Sequence, residues 1–237
     1  MDQFRLKCTF NLNSGALGND RHVTAEEVAE LYRNHEVVVH SLTPHLEDLN
    51  PEKIAYQVIE DRKNLEDLIH KPVTGMAYPY GLVGEYPKMV DTIGNCGIRY
   101  ARTTNNTRFF QLPMDYQRWH PTCHQTDPRL FELIEAFQQP IDTTAPSRVR
   151  VQLLYIWGHS YEYKNEWPRL ETMCQKIAGD ETVWYATNSE IIDYLDSWRS
   201  LRASADGKYV YNPTSTRIWV YTDNGNKILE PGVITEI

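Results

Sequence analysis

The sequence predicts an α/β fold: repeated βα units around a mainly parallel sheet, followed by a small antiparallel β appendage. Three observations carry this. Short β-rich runs alternate with stretches of helical period along most of the chain. The helical stretches open on recognisable start signals. After Ser200 the pattern changes to short strands separated by turn residues.

The β-rich runs are Cys8–Leu12, Glu36–His40, Val73–Tyr78, Ile98–Thr104, Val151–Trp157 and Thr182–Ala186. Thr24-Ala-Glu-Glu27 is a capping box ahead of Val28, Leu31 and Tyr32. Asn50-Pro51 sets an N-cap and a first-turn proline, after which Ile54, Val58, Leu65 and Leu68 continue one face. Asp127-Pro128 repeats that device before Leu130, Leu133, Ile134 and Phe137. The stretch Trp167 to Ile177 reads as a helix, and Thr187–Glu190 is a further capping box before Ile191, Ile192, Leu195 and Trp198. Six βα units suit either a barrel or a doubly wound sheet, and the pattern leaves both open. In the tail, Tyr209–Tyr211, Arg217–Tyr221 and Lys227–Leu229 are strand-like, with a turn expected at Asn224-Gly225. The domains are expected at 1–200 and 201–237.

At 237 residues with 41% hydrophobic and 24% charged content, the chain reads as a globular protein rather than a disordered one. Six Trp, fifteen Tyr and six Phe demand a core. No window approaches the 18 or so consecutive apolar residues of a membrane span, and Met1-Asp2-Gln3-Phe4-Arg5 lacks an apolar leader. A net charge of −8 argues against a partner held by nucleic-acid phosphates. The four cysteines, Cys8, Cys96, Cys123 and Cys174, show no CxxC spacing. A reduced, cytoplasmic chain is the expectation.

In βα folds, working groups collect where strands end and helices begin. Five histidines, His40, His45, His120, His124 and His159, fall at such ends. Taken singly, each reads as an ordinary hydrogen-bonded loop residue; together they suggest a site. The His40/His45 pair has donors suited to zinc or a similar divalent ion. Trp119 and Trp157 read equally as core or as walls for a sugar ring.

The motifs His40-Ser-Leu-Thr-Pro-His45, Tyr78-Pro-Tyr-Gly81, Trp119-His-Pro-Thr-Cys-His124 and Leu154-Tyr-Ile-Trp-Gly-His-Ser160 occur in this order. Over about residues 6–198 they resemble the polysaccharide deacetylases of the NodB-homology type, carbohydrate esterase family 4 (CE4). The resemblance implies a distorted (β/α) barrel of six to seven strands. It also implies a divalent metal and hydrolysis of N-acetyl or O-acetyl groups on a carbohydrate. Carried over residue by residue, His40 and His45 would be metal ligands, His159 the general acid, and the Tyr80 backbone N–H an oxyanion donor. Arg118, Trp119, His120, His124, Trp157 and Glu162 would line the substrate site.

The departures are specific. The family's opening Asp-Asp pair, which supplies the base and one ligand, is expected some tens of residues before Lys7; the chain starts at Met1, and Asp2 is too close to that strand to serve. The second motif is one residue short, with Pro44 where the second ligand belongs. The family's usual Arg in the third motif is Ala77, and Arg118 replaces the second Asp of the fourth, where it could restore the charge lost at Ala77. Weak metal binding at His40 and His45 follows. The alternative function is a lapsed homologue serving as a carbohydrate-binding or scaffold domain. Loss of a first strand would leave Cys8–Leu12 as an edge, and association of two chains is expected to cover it.

Overall fold

The computed structural model describes residues 1–43, 46, 49–81, 87–141, 151–222 and 225–237. It divides into two compact units, Met1–Asn188 and Ser189–Ile237.

The first unit begins with β1 (Thr9–Leu12), then α1 (Ala25–Leu31), β2 (Glu36–Val39), α2 (Pro51–Ile69), β3 (Gly75–Ala77), α3 (Pro87–Asn95) and β4 (Tyr100–Arg102). These four strands form one sheet in the order β1-β2-β3-β4, every pair parallel. Parallel strands covered on both faces favour unbroken apolar runs, and Val37, Val38 and Val39 are accordingly buried. Gly75 is required by packing: a Cβ there would overlap the Tyr100 ring, whose hydroxyl donates to Glu36 Oε1 at 2.7 Å.

The predicted caps hold where the helices need them. Thr24 N–H donates to Glu27 Oε2 at 2.8 Å, completing the capping box of α1. Asn50 Oδ1 accepts from Lys53 N–H at 2.9 Å, with Pro51 in the first turn of α2. The face of α2 that carries Ile54, Val58 and Leu65 is buried, and with it Asp61.

Beyond β4 the strands shorten. Trp119 makes a parallel bridge with Arg102, and β5 (Cys123–His124) pairs in parallel with β6 (Ile156–Trp157). The apolar run 151–157 is therefore only partly regular. Leu153 N–H donates to Phe110 O at 2.9 Å, and Tyr155 N–H to the Thr122 hydroxyl at 3.0 Å, so irregular partners replace the ladder. Helix α4 (Leu130–Phe137) starts later than the Asp127-Pro128 signal implies. Asp127 Oδ1 instead accepts from Arg129 N–H at 2.9 Å, closing a turn ahead of the helix. A core of Leu6, Cys123, Leu130, Leu133, Ile134, Met173 and Cys174 joins α4 to α5 (Trp167–Ile177).

The strand expected at Thr182–Ala186 does not form. Asp180 Oδ1 accepts from both Thr182 N–H (2.9 Å) and its hydroxyl (2.6 Å), and Tyr185 hydroxyl bonds Ile177 O at 2.6 Å. Of these, the bond to Thr182 N–H takes a backbone group that a ladder would need, and the hydroxyl bonds fix the local turn.

The second unit contains most of α6 (Asn188–Arg199), then β7 (Arg202–Ala203), β8 (Tyr209–Tyr211), β9 (Ile218–Thr222), β10 (Gly225–Leu229) and β11 (Ile234–Glu236). All its pairings are antiparallel: a β9–β10 hairpin and a three-stranded sheet β11-β8-β7. Asp223 and Asn224, half of the expected Asn-Gly turn, lie outside the described residues; Gly225 has φ +99°, as a hairpin glycine should. Val210, Ile218 and Leu229 form a small core of their own. Among the described residues no helix is long and apolar enough to cross a membrane.

Candidate active site

The C-terminal ends of β2, β3, β4, β5 and β6 supply the candidate residues. His40 follows β2. Its Nδ1 lies 2.8 Å from the Ala77 carbonyl oxygen, which can only accept, so Nδ1 carries the proton and Nε2 keeps its lone pair. Burial pushes its pKa down to about 4, and the nearby charges of Arg102 and His159 add to the effect. At neutral pH His40 is a neutral imidazole of fixed tautomer.

The backbone beneath it is held by Asp61 of α2. This carboxylate accepts from Ser14 N–H at 2.6 Å and from His40 N–H at 3.1 Å. Burial nevertheless raises its pKa to about 6. Asn13 Nδ2 donates to the carbonyl oxygens of His40 and Ser41, at 2.7 and 2.6 Å. His45 and Pro44 lie outside the described residues.

After β5 and β6 come three side chains that could share a metal ion: His124, His159 and Glu162, whose ligand atoms lie within 4.8 Å of one another. His124 Nε2 is 3.3 Å from Glu162 Oε2, and His159 Nδ1 is 3.4 Å from Glu162 Oε1. Burial is the main cause lowering the His124 pKa, against the opposing pull of Glu162. Trp157 packs edge-on to His124 at 4.4 Å and lies 5.7 Å from His159.

Other expected residues are placed differently. Trp119 is 1% exposed and packs edge-to-face against Tyr100 and Tyr155, at 5.7 and 5.1 Å. It is a core side chain, and the expectation that it walls a sugar groove is corrected: its ring is covered. Arg118 is exposed and pairs with Asp115 at 2.7 Å. It therefore does not replace the charge absent at Ala77. Arg102, directly beside Ala77 in the sheet register, is the buried cation. Its guanidinium lies 4.4 Å over the Trp157 ring. His120 is exposed, with Nδ1 2.6 Å from the Thr103 hydroxyl. Tyr80 sits in the left-handed region (φ 56°, ψ 2°), its side chain 60% exposed. Gly81 beside it has φ +70°, and a Cβ there would overlap Thr104.

Two contributors escaped the sequence reading. Gln125 Nε2 donates to His159 O at 2.8 Å and to Glu162 Oε2. It lay between two residues of a noted motif, but an amide carries no chemistry that spacing reveals. Arg102 was visible as a strand-end charge; its role depends on the register with Ala77.

A family model described as polysaccharide deacetylase matches residues 1–101. The match covers the N-terminal part of the chain, somewhat less than half of its length, and is a likeness to that family. The α/β architecture extends the likeness. A CE4-family pseudoenzyme from Bacillus anthracis superposes with a TM-score of 0.52 at 17% identity, over 81% of this chain and 57% of that one. A mutant of that pseudoenzyme gives 0.51 at 17% identity, over 81% and 59%. The Streptococcus pyogenes deacetylase PplD in complex with acetate gives 0.44 at 16%, over 48% and 51%. The chain spans just over half the length of these solved structures. None of the curated proteins matches it. The fold is the (β/α) barrel type of the CE4 deacetylases, with an antiparallel appendage.

Proposed function

We propose that the chain acts on an acetylated carbohydrate, hydrolysing N-acetyl or O-acetyl groups with the help of a divalent metal. The observation that carries this reading is His40. A half-buried imidazole kept neutral, with Nδ1 tied to a backbone carbonyl, is the form a metal ligand takes. His45 is the second proposed ligand. Zinc or a similar ion, when bound, would polarise the acetyl carbonyl and acidify a water.

The chain's own residues divide the remaining work. The backbone N–H of Tyr80 offers a fixed donor to the developing oxyanion. His159 gives a proton to the departing amine, and Glu162, 3.4 Å from its Nδ1, orients the ring. His120, His124, Trp157 and Arg118 contact the sugar. The base belongs to the Asp-Asp motif, and this sequence contains no such pair. The deacetylase-like domain is taken as 1–200 and the appendage as 201–237. The four cysteines are free thiols, three of them buried, which supports a cytoplasmic location. Two chains are proposed to associate through β1.

A second reading, a carbohydrate-binding domain without turnover, is favoured by the one-residue shortening between His40 and His45 and by the pseudoenzyme with a similar fold. One experiment separates the two. Acetate release from N-acetylglucosamine oligomers is measured with added cobalt or zinc. Turnover that falls by a factor of about 10²–10⁴ in His159→Ala supports hydrolysis. Oligomer binding with no acetate release overturns it in favour of the second reading.

A further inference from the structure

The cluster at the ends of β5 and β6 carries more than a substrate contact. We propose that His124, His159 and Glu162 form a site for a divalent transition metal, separate from His40. Two imidazoles and a carboxylate are the donor set of open zinc-type centres, which use three protein ligands and leave a position free. Hard ions such as magnesium would ask for more oxygens than the cluster offers.

The spacing decides between a metal site and a pair of ordinary ion pairs. Charge-assisted N–H···O bonds settle at about 2.7–2.9 Å. The two His–Glu separations are 3.3 Å to Oε2 and 3.4 Å to Oε1, and one ligand atom from each of the three residues lies within 4.8 Å of the others. Donors bound at about 2.1 Å around a tetrahedral ion lie about 3.4 Å apart. His159 Nδ1 is buried and makes no hydrogen bond, although it faces Glu162. An ion between the groups would satisfy that nitrogen.

The surroundings are built to hold the ligands in place. Glu162 Oε2 accepts from Gln125 Nε2 and, at 3.2 Å, from His159 N–H. His124 Nδ1 lies 2.7 Å from the Thr126 hydroxyl and accepts from Thr126 N–H at 3.3 Å, so Nε2 is the ring nitrogen that faces Glu162. Outer partners of this kind fix ring orientation at metal centres. Gly158 makes room for them, since a Cβ there would overlap Gln125.

Occupancy has a consequence, which rests on the reading of His159 as proton donor. A metal on Nδ1 uses the lone pair that forms the imidazolium, so a filled site and proton donation exclude each other. The site would then inhibit hydrolysis.

The test titrates cobalt(II) or zinc(II) chloride into the whole chain, read by calorimetry and by the visible absorption of cobalt. One equivalent is expected to bind at the cluster, apart from any held at His40 and His45. Affinity should fall at least tenfold in His124→Ala and in Glu162→Gln, and persist in His40→Ala. Far-UV circular dichroism confirms that each variant is folded, and if His124→Ala is not, Glu162→Gln alone decides. No stoichiometric binding, or binding lost in His40→Ala but kept within twofold in the folded cluster variants, overturns the site. Metal binding is read without substrate, so its outcome does not depend on whether the deacetylase reading holds.

Discussion

Asp61 and His40 meet through one hydrogen bond, from the His40 backbone N–H to Asp61 Oδ2 at 3.1 Å. Both groups are pushed away from their charged forms by burial. The Asp61 pKa rises from 3.8 to about 6, and that of His40 falls from 6.5 to about 4. Their effects on stability have opposite signs.

Between about pH 4 and 6 the folded chain holds a proton on Asp61 that the unfolded chain has released, so this term weakens the fold as pH rises. It is worth about 3 kcal/mol, at about 1.4 kcal/mol per pKa unit. For His40 the unfolded chain is the one holding the extra proton, between about pH 4 and 6.5, so stability grows with pH. The two nearly cancel. Asp61→Asn should remove only the first, leaving a stability that climbs from pH 4 to 6.5 more steeply than in the wild type. Urea unfolding at several pH values measures it, and parallel slopes for the two proteins would refute the assignment.

Gly158→Ala should lower stability by about 1–3 kcal/mol through overpacking. The new methyl group displaces Gln125, the amide that holds Glu162 and His159 O. Thermal unfolding reads the first effect, and weakened cobalt binding reads the second. A variant indistinguishable from wild type in both would show that Gln125 is not needed there.

Much of the fold was legible because its signals are local. The Thr24 capping box, the Asn50-Pro51 start and the Val37–Val39 run each depend on neighbours in sequence. Thr182–Ala186 misled for the converse reason: its β-branched and aromatic residues read as strand, but Asp180 captures Thr182 locally. In the site, histidines could be recognised from type and position. What they do could not, because His159 is defined by Glu162 and Gln125, and Ala77 by Arg102 across a strand pair. Such contacts are set by register, which the sequence pattern leaves open.

Trp119 allows a direct test of core against groove. Removing a fully buried Trp typically costs about 3–5 kcal/mol, so Trp119→Ala should be strongly destabilised. Trp119→Phe should keep the fold and bind N-acetylglucosamine oligomers as the wild type does. A stable Ala variant that had lost oligomer binding would return Trp119 to the sugar site.

The last prediction concerns the sheet edge at β1. Among the described residues β1 pairs with β2 alone. Among the described residues, two candidates to cover it take other arrangements. Thr182–Ala186 is not a strand, and Asn188 N–H near it donates to the Thr9 hydroxyl, a side-chain group, at 3.0 Å. The C-terminal strands β7 to β11 pair with one another in the hairpin and the three-stranded sheet. A parallel edge with unpaired N–H and C=O groups invites a strand from another molecule. The expected outcome is a dimer at micromolar concentration, measured by sedimentation equilibrium. If the chain sediments with the mass of one copy while showing a cooperative thermal transition, β1 needs no partner and the dimer is excluded.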